Sequence, residues 1–416
     1  MGIVQKARNN KTIVQNAGYL SIIEVIRLAM PFVALPYIIS TIGAGNYGLA
    51  VFAQTVISYF TIFINWGLDI SAVKDVSVNR NEPQELNRIV STVLGIKFVL
   101  FLFSFVVLLV CIMTIPFMNE HKWLFVFAFL SCLSEVLFPV WFYQGIEKMK
   151  YLTMIRTTAI VFYTTSIFLF IHGPSDYEKV VLLQSLGNII AGCLSLYLLF
   201  VVNRVRLVLP GLQSMKRTFM DSFPFFMSRV SVVFNNTMAK TISGIFLTME
   251  AVAAFDLAQK IATAALIPTQ MMNQAVYPHI AKTKSVSFVR KYLKIDVLLS
   301  FCVASGVAIA APLVVSIFAK GQLEESVPIL QILCLWVFFG GITTYIGSPV
   351  LVSFGYPKPF NVSVLLSTAI LFALYAICAL LDCLTVYNFA WVLVASEFVI
   401  LVYRGYYCTR YKLVTI

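Results

Sequence analysis

Charged and amide side chains recur at helical spacing inside an apolar segment near residues 220–247. Arg229, Asn236 and Lys240 are separated by seven and four residues, so at 100° per residue they share one face of a helix. Cations and amides on one face can bind an anionic group together with hydroxyls. The pattern therefore favours recognition of a polar, negatively charged ligand.

The next apolar segment, near 252–278, carries a second polar stripe with one acid and one base. Such groups in apolar helices are by default functional or paired, and the uncharged members favour a wet, polar surface over simple neutralisation. The predicted substrate-binding residues are Arg27, Arg229, Asn236, Lys240, Lys260, Thr263 and Gln270. The residues predicted to couple transport or to pair charges are Glu24, Asp69 and Asp256.

Charge pairing is the alternative interpretation of the same residues. Glu24 with Arg27 and Asp256 with Lys260 have helical spacings of three and four, at which opposite charges meet. Lys97 and Glu135 each stand alone in an apolar helix, where a long side chain can pair or reach the membrane surface. Arg229 and Lys240, by contrast, have no acid at helical spacing on their own stripe.

The composition is that of an integral membrane protein. Of 416 residues, 60% are hydrophobic and 12% charged, against about 45–50% and about 25% in soluble domains. The mean hydropathy is +0.89. No CxxC pair occurs, the three histidines are far apart in sequence, and no nucleophile, base and orienting group cluster, so the sequence predicts no metal site, no cofactor and no catalysis.

Twelve apolar runs are long enough to span a bilayer. They lie at 14–39, 46–72, 91–115, 122–145, 153–172, 180–202, 220–247, 252–278, 295–318, 327–350, 360–381 and 386–406. Basic residues assigned to the loops, with Arg404 near the end of the last run counted among them, fall 22 on one side and 3 on the other. This split predicts that both termini are cytoplasmic. It also explains the net charge of +12 without nucleic-acid binding.

The two halves of the chain match at an offset of 205 residues. Gln54, Ser58, Asn65 and Asp69 then align with Gln259, Thr263, Gln270 and Gln274, all polar and on one helix face. Six spans per half give both halves the same orientation. The predicted fold is therefore an all-α membrane protein of two six-helix lobes in a parallel repeat around a central cavity, with lobes at 1–208 and 209–416.

The sequence resembles Wzx-type O-antigen flippases. The resemblance rests on the twelve spans, Glu24 and Arg27 in the first helix, the following break Ile42-Gly-Ala-Gly-Asn-Tyr-Gly48 and the Gly145-x-x-Lys148 loop. These proteins form the polysaccharide-transport family of the multidrug/oligosaccharidyl-lipid/polysaccharide exporter superfamily. The resemblance implies a cationic cavity between the lobes.

The resemblance also implies movement of undecaprenyl-diphosphate-linked O-antigen units across the bacterial inner membrane, from the cytoplasmic to the periplasmic leaflet. Membrane lipid is an implied partner, and O-antigen polymerase and chain-length machinery are further candidates. A diphosphate with a hydroxyl-rich glycan requires cations and amide or hydroxyl partners, which the stripes provide.

Two alternatives remain open at the level of sequence. A cation-coupled multidrug exporter shares the architecture but would favour a net acidic, aromatic pocket. A membrane enzyme of O-antigen assembly would need a sizeable periplasmic loop, and the longest predicted outside connection, from His172 to Lys179, is short.

Overall fold

The structure is a computed structural model that describes Met30 and residues 32–414. Glu24 and Arg27, two of the predicted site residues, lie outside the described residues, as does most of the predicted first helix. Over the described ranges the chain is helical between short connections and contains no strand. This confirms the predicted all-α class.

The described helices follow one another with short connections. They are α1 Phe32–Ile42, α2 Ala44–Asn65, α3 Leu68–Val78, α4 Pro83–Thr114, α5 Pro116–Glu120, α6 Lys122–Leu137, α7 Val140–Gly145, α8 Met149–Phe170, α9 Tyr177–Tyr197, α10 Leu212–Phe246, α11 Met249–Ala265, α12 Ile267–Thr283, α13 Val286–Ala319, α14 Ser326–Tyr345, α15 Pro357–Leu380 and α16 Val386–Arg410. π-helical segments, Leu198–Val202 and Ile346–Val352, extend α9 and α14.

Ten helical stretches in the described part are long and apolar enough to cross a membrane. Helix α10 has 35 residues but a more polar sequence, because it carries the first polar stripe. Since most of the predicted first helix lies outside the described residues, the count of twelve spans stays a prediction.

Several helices begin earlier than the apolar runs that predicted them. Helix α4 starts at Pro83 and α13 at Val286, whereas hydropathy placed those starts at 91 and 295. The added turns contain charged residues such as Arg88 and Lys291. Hydropathy marks only the apolar part of a helix, and the helix itself continues into its polar end.

A sharp break separates α2 from α3 within the predicted second span. Trp66 and Gly67 both adopt left-handed backbone angles, with φ of 45° and 68°. The Trp66 ring stacks between Phe219 and Phe226, with centroids 4.2 Å away on each, and its Nε1 donates to the Phe219 carbonyl oxygen at 3.0 Å. Aromatic packing therefore holds the break in place.

The described residues form two compact units. Unit 1 runs to Ile42 and resumes over Val56–Met227, and unit 2 contains Gly43–Thr55 and the chain from Ser228 onward. Helices α2 and α10 are each divided between the units, which differs from a single boundary at 208/209. Close backbone packing explains the division, since Gly48 abuts Met249 in unit 2 and Gly67 abuts Phe226 in unit 1. That the units are the two lobes of a repeat stays a prediction.

Each unit is built by packing both between consecutive helices and between helices further apart in sequence. In unit 1, α9 packs on α6 and α8, and α3 packs on α7. In unit 2, α14 packs on α11, α13 and α16, and α15 packs on α16. The candidate site below lies in unit 2.

Candidate functional site

The candidate site centres on a buried acid of helix α11. The helix starts cleanly because the Thr248 hydroxyl accepts a hydrogen bond from the Ala251 backbone N–H at 3.2 Å, a standard N-cap. Asp256 follows two turns later and is 2% exposed. A buried carboxylate requires cations or donors around it.

Three side chains supply those partners. Lys260 Nζ lies 2.7 Å from Asp256 Oδ2, and Lys240 Nζ of α10 lies 3.1 Å from Oδ1. The Tyr47 hydroxyl of α2 donates to Oδ2 at 2.6 Å and accepts from Lys260 Nζ at 2.8 Å. These four residues are called the Asp256 cluster.

Two glycines allow the three helices of the cluster to approach closely. A Cβ at Gly48, next to Tyr47, would lie 1.7 Å from the Met249 carbonyl oxygen. A Cβ at Gly244, one turn after Lys240, would lie 2.1 Å from the Phe52 ring. The first turns of α2 therefore pack directly on α10 and α11, which brings Tyr47 to Asp256.

The cluster carries two positive charges and one negative charge, and its two lysines differ in exposure. The Lys240 side chain is 15% exposed and that of Lys260 is 44% exposed. Lys240 can neutralise Asp256 from the protein side, while Lys260 remains accessible to an external anion. The arrangement can therefore bind one further negative charge without leaving Asp256 unpaired.

Two predicted polar residues lie one turn from the cluster lysines on α10 and α11, and a third lies on α12, about three turns beyond Lys260. Asn236, Thr263 and Gln270 are exposed. Gln259 Nε2 donates to the Asn236 carbonyl oxygen at 3.1 Å, which ties α11 to α10 one turn before Lys240. The amide of Asn236 and the hydroxyl of Thr263 bond to carbonyls of their own helices, so each keeps hydrogen-bonding capacity for a ligand.

Other predicted residues lie away from the cluster. Arg229 is exposed on the same helix as Lys240, but eleven residues at 1.5 Å each place it about 16 Å away along the axis. Asp69 belongs to unit 1, within electrostatic range of Lys97. The structure thus unites Lys240, Asp256 and Lys260 in direct contact and leaves Arg229 and Asp69 elsewhere.

Lys97 and Glu135, predicted to pair or to reach the surface, are linked inside unit 1. Lys97 is 2% exposed, and its ammonium donates to Asn65 Oδ1 at 2.6 Å and to the Glu135 carbonyl oxygen at 3.2 Å. Asn65 Nδ2 in turn donates to Glu135 Oε2 at 3.0 Å. The Asn65 amide therefore bridges the buried Lys97 and the half-buried Glu135, and we interpret this group as a structural network.

Arg404 differs from its sequence-based assignment to a loop. It is 6% exposed within α16, where it donates to Ser363 Oγ and to the Thr343 carbonyl oxygen, each at 2.8 Å. The guanidinium also covers the Phe360 ring at 4.7 Å, and Thr343 donates to Glu397. Because Arg404 lies near the end of an apolar run, the sequence-based assignment placed it in a loop outside the membrane.

The sequence did not predict two contacts within the Asp256 cluster, those of Tyr47 and Lys240 with Asp256. Tyr47 lies in the Gly-rich stretch that suggested a break, but only Gly43 leaves the helical path, with φ of 85°, and α2 begins at Ala44. Lys240 lacked an acid on its own stripe, yet Asp256 reaches it from the neighbouring helix. No spacing rule within one helix could have found either contact.

Comparison with known sequences gives the family. The model of the family described as "Polysaccharide biosynthesis protein" matches residues 13–284. A protein of Escherichia coli (strain K12) named "Putative O-antigen transporter" is 25% identical over 85% of this chain and 86% of its own length. A protein of the same name from Shigella dysenteriae is 25% identical over 87% and 91%.

Solved structures show the same fold at low sequence identity. Lipid II flippase MurJ in an inward closed conformation aligns with a TM-score of 0.74 and 13% identity, over 94% of this chain and 87% of that one. An inward-facing MATE multidrug resistance transporter of the MOP superfamily aligns with a TM-score of 0.70 and 14% identity, over 95% and 98%. With the match over 13–284, which is more than half of its residues, the chain belongs to the polysaccharide biosynthesis protein family.

Proposed function

We propose that this chain is a flippase that moves undecaprenyl-diphosphate-linked O-antigen repeat units from the cytoplasmic to the periplasmic leaflet by alternating access. The names of its sequence relatives and its likeness to a lipid flippase support a transporter over a membrane enzyme. The observation that carries the substrate class is the Asp256 cluster, which has a surplus of one positive charge and an exposed Lys260.

The exposures of the two lysines suggest how a diphosphate would bind. Removing both cations from a buried carboxylate is strongly unfavourable, so Lys240 must stay on Asp256. Lys260 is exposed and can rotate from Asp256 Oδ2 to a phosphate oxygen, while the Tyr47 hydroxyl remains on the carboxylate. Head-group binding would then exchange one ion pair for another, without exposing Asp256 unpaired.

The exposed amides and hydroxyls near the cluster suit the sugars of the repeat unit. Asn236 and Thr263 offer donors and acceptors one turn from the cluster lysines, and Gln270 offers them about three turns beyond Lys260. The lipid tail needs no polar partner and can remain in the bilayer. Arg229, further along the same face of α10, would meet a more distant part of the glycan or the second phosphate.

A proteoliposome assay with a lipid-linked oligosaccharide tests this function. The wild-type chain should move the head group to the opposite leaflet, and Lys260→Met should reduce the rate at least tenfold while the protein still inserts. Lys291→Met, which removes an exposed lysine of α13 in the same unit, is the matched control. Equal rates for the two variants, or chain extension of the oligosaccharide in place of its movement, would reject the proposal.

We place both termini in the cytoplasm and the protein in the inner membrane, on the basis of the basic-residue distribution. Single cysteines at Ser175 and Lys284, both exposed, test the orientation in intact cells. The native cysteines must first be replaced, because Cys193 and Cys302 are exposed. An impermeant thiol reagent should label position 175 and not 284, and equal labelling would contradict the topology.

A further inference from the structure

Three of the buried polar side chains that have no hydrogen-bond partner in the described part of the chain lie together on α12 and α13 of unit 2. They are Asp296, 0% exposed with both carboxylate oxygens unpartnered, Asn273, 3% exposed with both amide atoms unpartnered, and Ser300, 0% exposed with a free hydroxyl. Buried polar groups almost always have a partner, and a buried carboxylate without one is especially unfavourable. Such a set indicates a ligand.

The first step is to show that these side chains meet. Helices α12 and α13 pack on one another and are joined by only two residues, so they run antiparallel. A Cβ at Gly341 of α14 would lie 2.2 Å from Ser300 Oγ and 3.5 Å from Thr269 Cγ2, which puts Thr269 and Ser300 at one level. Asn273 lies one turn after Thr269 on α12, and Asp296 lies one turn before Ser300 on α13. Both steps lead toward the connection between the two helices, so Asn273 and Asp296 also lie at one level.

Helix α14 closes the third side. Tyr345 lies one turn after Gly341, is 0% exposed, and donates its hydroxyl proton to the Val289 carbonyl oxygen of α13 at 3.0 Å. Its hydroxyl is within electrostatic range of Asp296. Val276, Val289 and Tyr345 belong to one apolar core, so the polar groups are enclosed by apolar packing.

The donor set and its charge define the class of ligand. Carboxylate, amide and hydroxyl oxygens are ligands for hard cations. A single carboxylate balances one positive charge, whereas a divalent ion would leave a buried excess. A proton on Asp296 would remove its charge but would supply no partner to Asn273 or Ser300, because the carboxyl makes no hydrogen bond with either side chain.

We propose that Asn273, Asp296 and Ser300 form a buried binding site for one alkali-metal cation, for which Na⁺ is the probe. The site is separate from the Asp256 cluster in composition and requires no lipid-linked substrate. The cation-site proposal is therefore tested independently of the proposed transport function.

The test is thermal unfolding of the full-length protein in detergent, with NaCl replaced by choline chloride at constant ionic strength. Wild type should show a rise in Tm that grows with the logarithm of the Na⁺ concentration and reaches about 1–2 °C at a tenfold excess of Na⁺ over Kd. Equilibrium binding of ²²Na⁺ should saturate near one ion per chain. Asp296→Asn should abolish both effects. Ser326→Ala is the control, because this serine of the same unit is equally buried but bonds to the Ala254 carbonyl oxygen.

A second variant keeps the test decisive if Asp296→Asn does not fold. Ser300→Ala should weaken Na⁺ binding at least threefold while remaining as stable as wild type in choline, because it removes a buried hydroxyl that has no partner there. The proposal is overturned if Tm is the same in Na⁺, K⁺ and choline, or if Tm changes with pH and not with the cation. It is also overturned if Asp296→Asn retains the response of Tm to Na⁺.

Discussion

The Lys240 ammonium lies 3.1 Å from Asp256 Oδ1, although 16 residues separate the two along the chain. The contact joins α10 to α11 and changes the expectation for Lys240. A lysine with no acid on its own stripe suggested a group free to bind substrate. Because Asp256 on the neighbouring helix pairs with it, Lys240 also stabilises the structure. Lys260 is therefore the better candidate for turning from Asp256 to the substrate.

Lys240→Met should destabilise the protein by about 1.5–3 kcal/mol, because Asp256 loses its less exposed cation and keeps only Lys260 and the Tyr47 hydroxyl. The loss should appear as a lower Tm in detergent and lower abundance in the membrane. Lys260→Met should lower Tm less, since its side chain is 44% exposed and Lys240 still neutralises Asp256. Equal Tm losses in the two variants would contradict this division of roles.

The double variant Lys240→Met, Asp256→Asn separates pairing from substrate binding. It leaves no unpaired charge in the interior, so most of the stability lost in Lys240→Met should return. Export should not return, because Lys260 remains but has lost Asp256, the acid that holds it in place. Surface O-antigen in a flippase-deleted strain, normalised to membrane abundance, reads out the second effect, and full export by the double variant would show that the cluster is only structural.

The buried network of unit 1 gives a purely structural counterpart. Lys97→Met keeps the volume of the side chain but leaves Asn65 Oδ1 without its donor and Glu135 without a nearby cation. We expect a loss of about 3–5 kcal/mol that is largely recovered by adding Glu135→Gln. Tm of the single and double variants measures this, and an unchanged Tm for Lys97→Met would mean that the network contributes nothing to stability.

The sequence predicted the helices well where apolar length alone determines them, and less well where contacts cross between helices. The apolar runs located α14 and α16, and α6 together with α7, since a bilayer fixes the minimum length of a span. The runs missed the polar first turns of α4 and α13, so the predicted run 295–318 has Asp296 as its second residue. With α13 beginning at Val286, the same residue lies about three turns inside the helix.

The candidate site was predictable only as far as one helix face extends. Lys260 and Asp256 were paired from their spacing of four, and the structure has that contact at 2.7 Å. Tyr47 comes from a segment about 200 residues earlier, and its approach depends on the absence of a side chain at Gly48. Tertiary contacts of this kind leave no periodic signal in one sequence.

Arg404→Lys tests whether the fork of the guanidinium is required in α16. A lysine cannot donate to Ser363 Oγ and the Thr343 carbonyl oxygen with Arg geometry, and it loses the flat contact with Phe360. One charged hydrogen bond contributes about 1.5–3 kcal/mol. The free energy of unfolding should therefore fall by about this amount, and Tm should fall with it. Arg410→Lys, at an exposed position of the same helix, is the control, and equal Tm values for the two variants would contradict the assignment.

The close approach of α2 to α11 gives the last prediction. In Gly48→Ala the new Cβ would lie 1.7 Å from the Met249 carbonyl oxygen, and because that atom is backbone, the helices themselves must move apart. We expect a cost of about 3 kcal/mol and a longer distance from Tyr47 to Asp256. Gly306→Ala is the matched control, since its Cβ would meet nothing within 4 Å and alanine favours a helix by about 0.5–1 kcal/mol. Tm should therefore fall in the first variant and rise slightly in the second. If Gly48→Ala kept both wild-type stability and wild-type export, the packing that brings Tyr47 to Asp256 would not be needed for either.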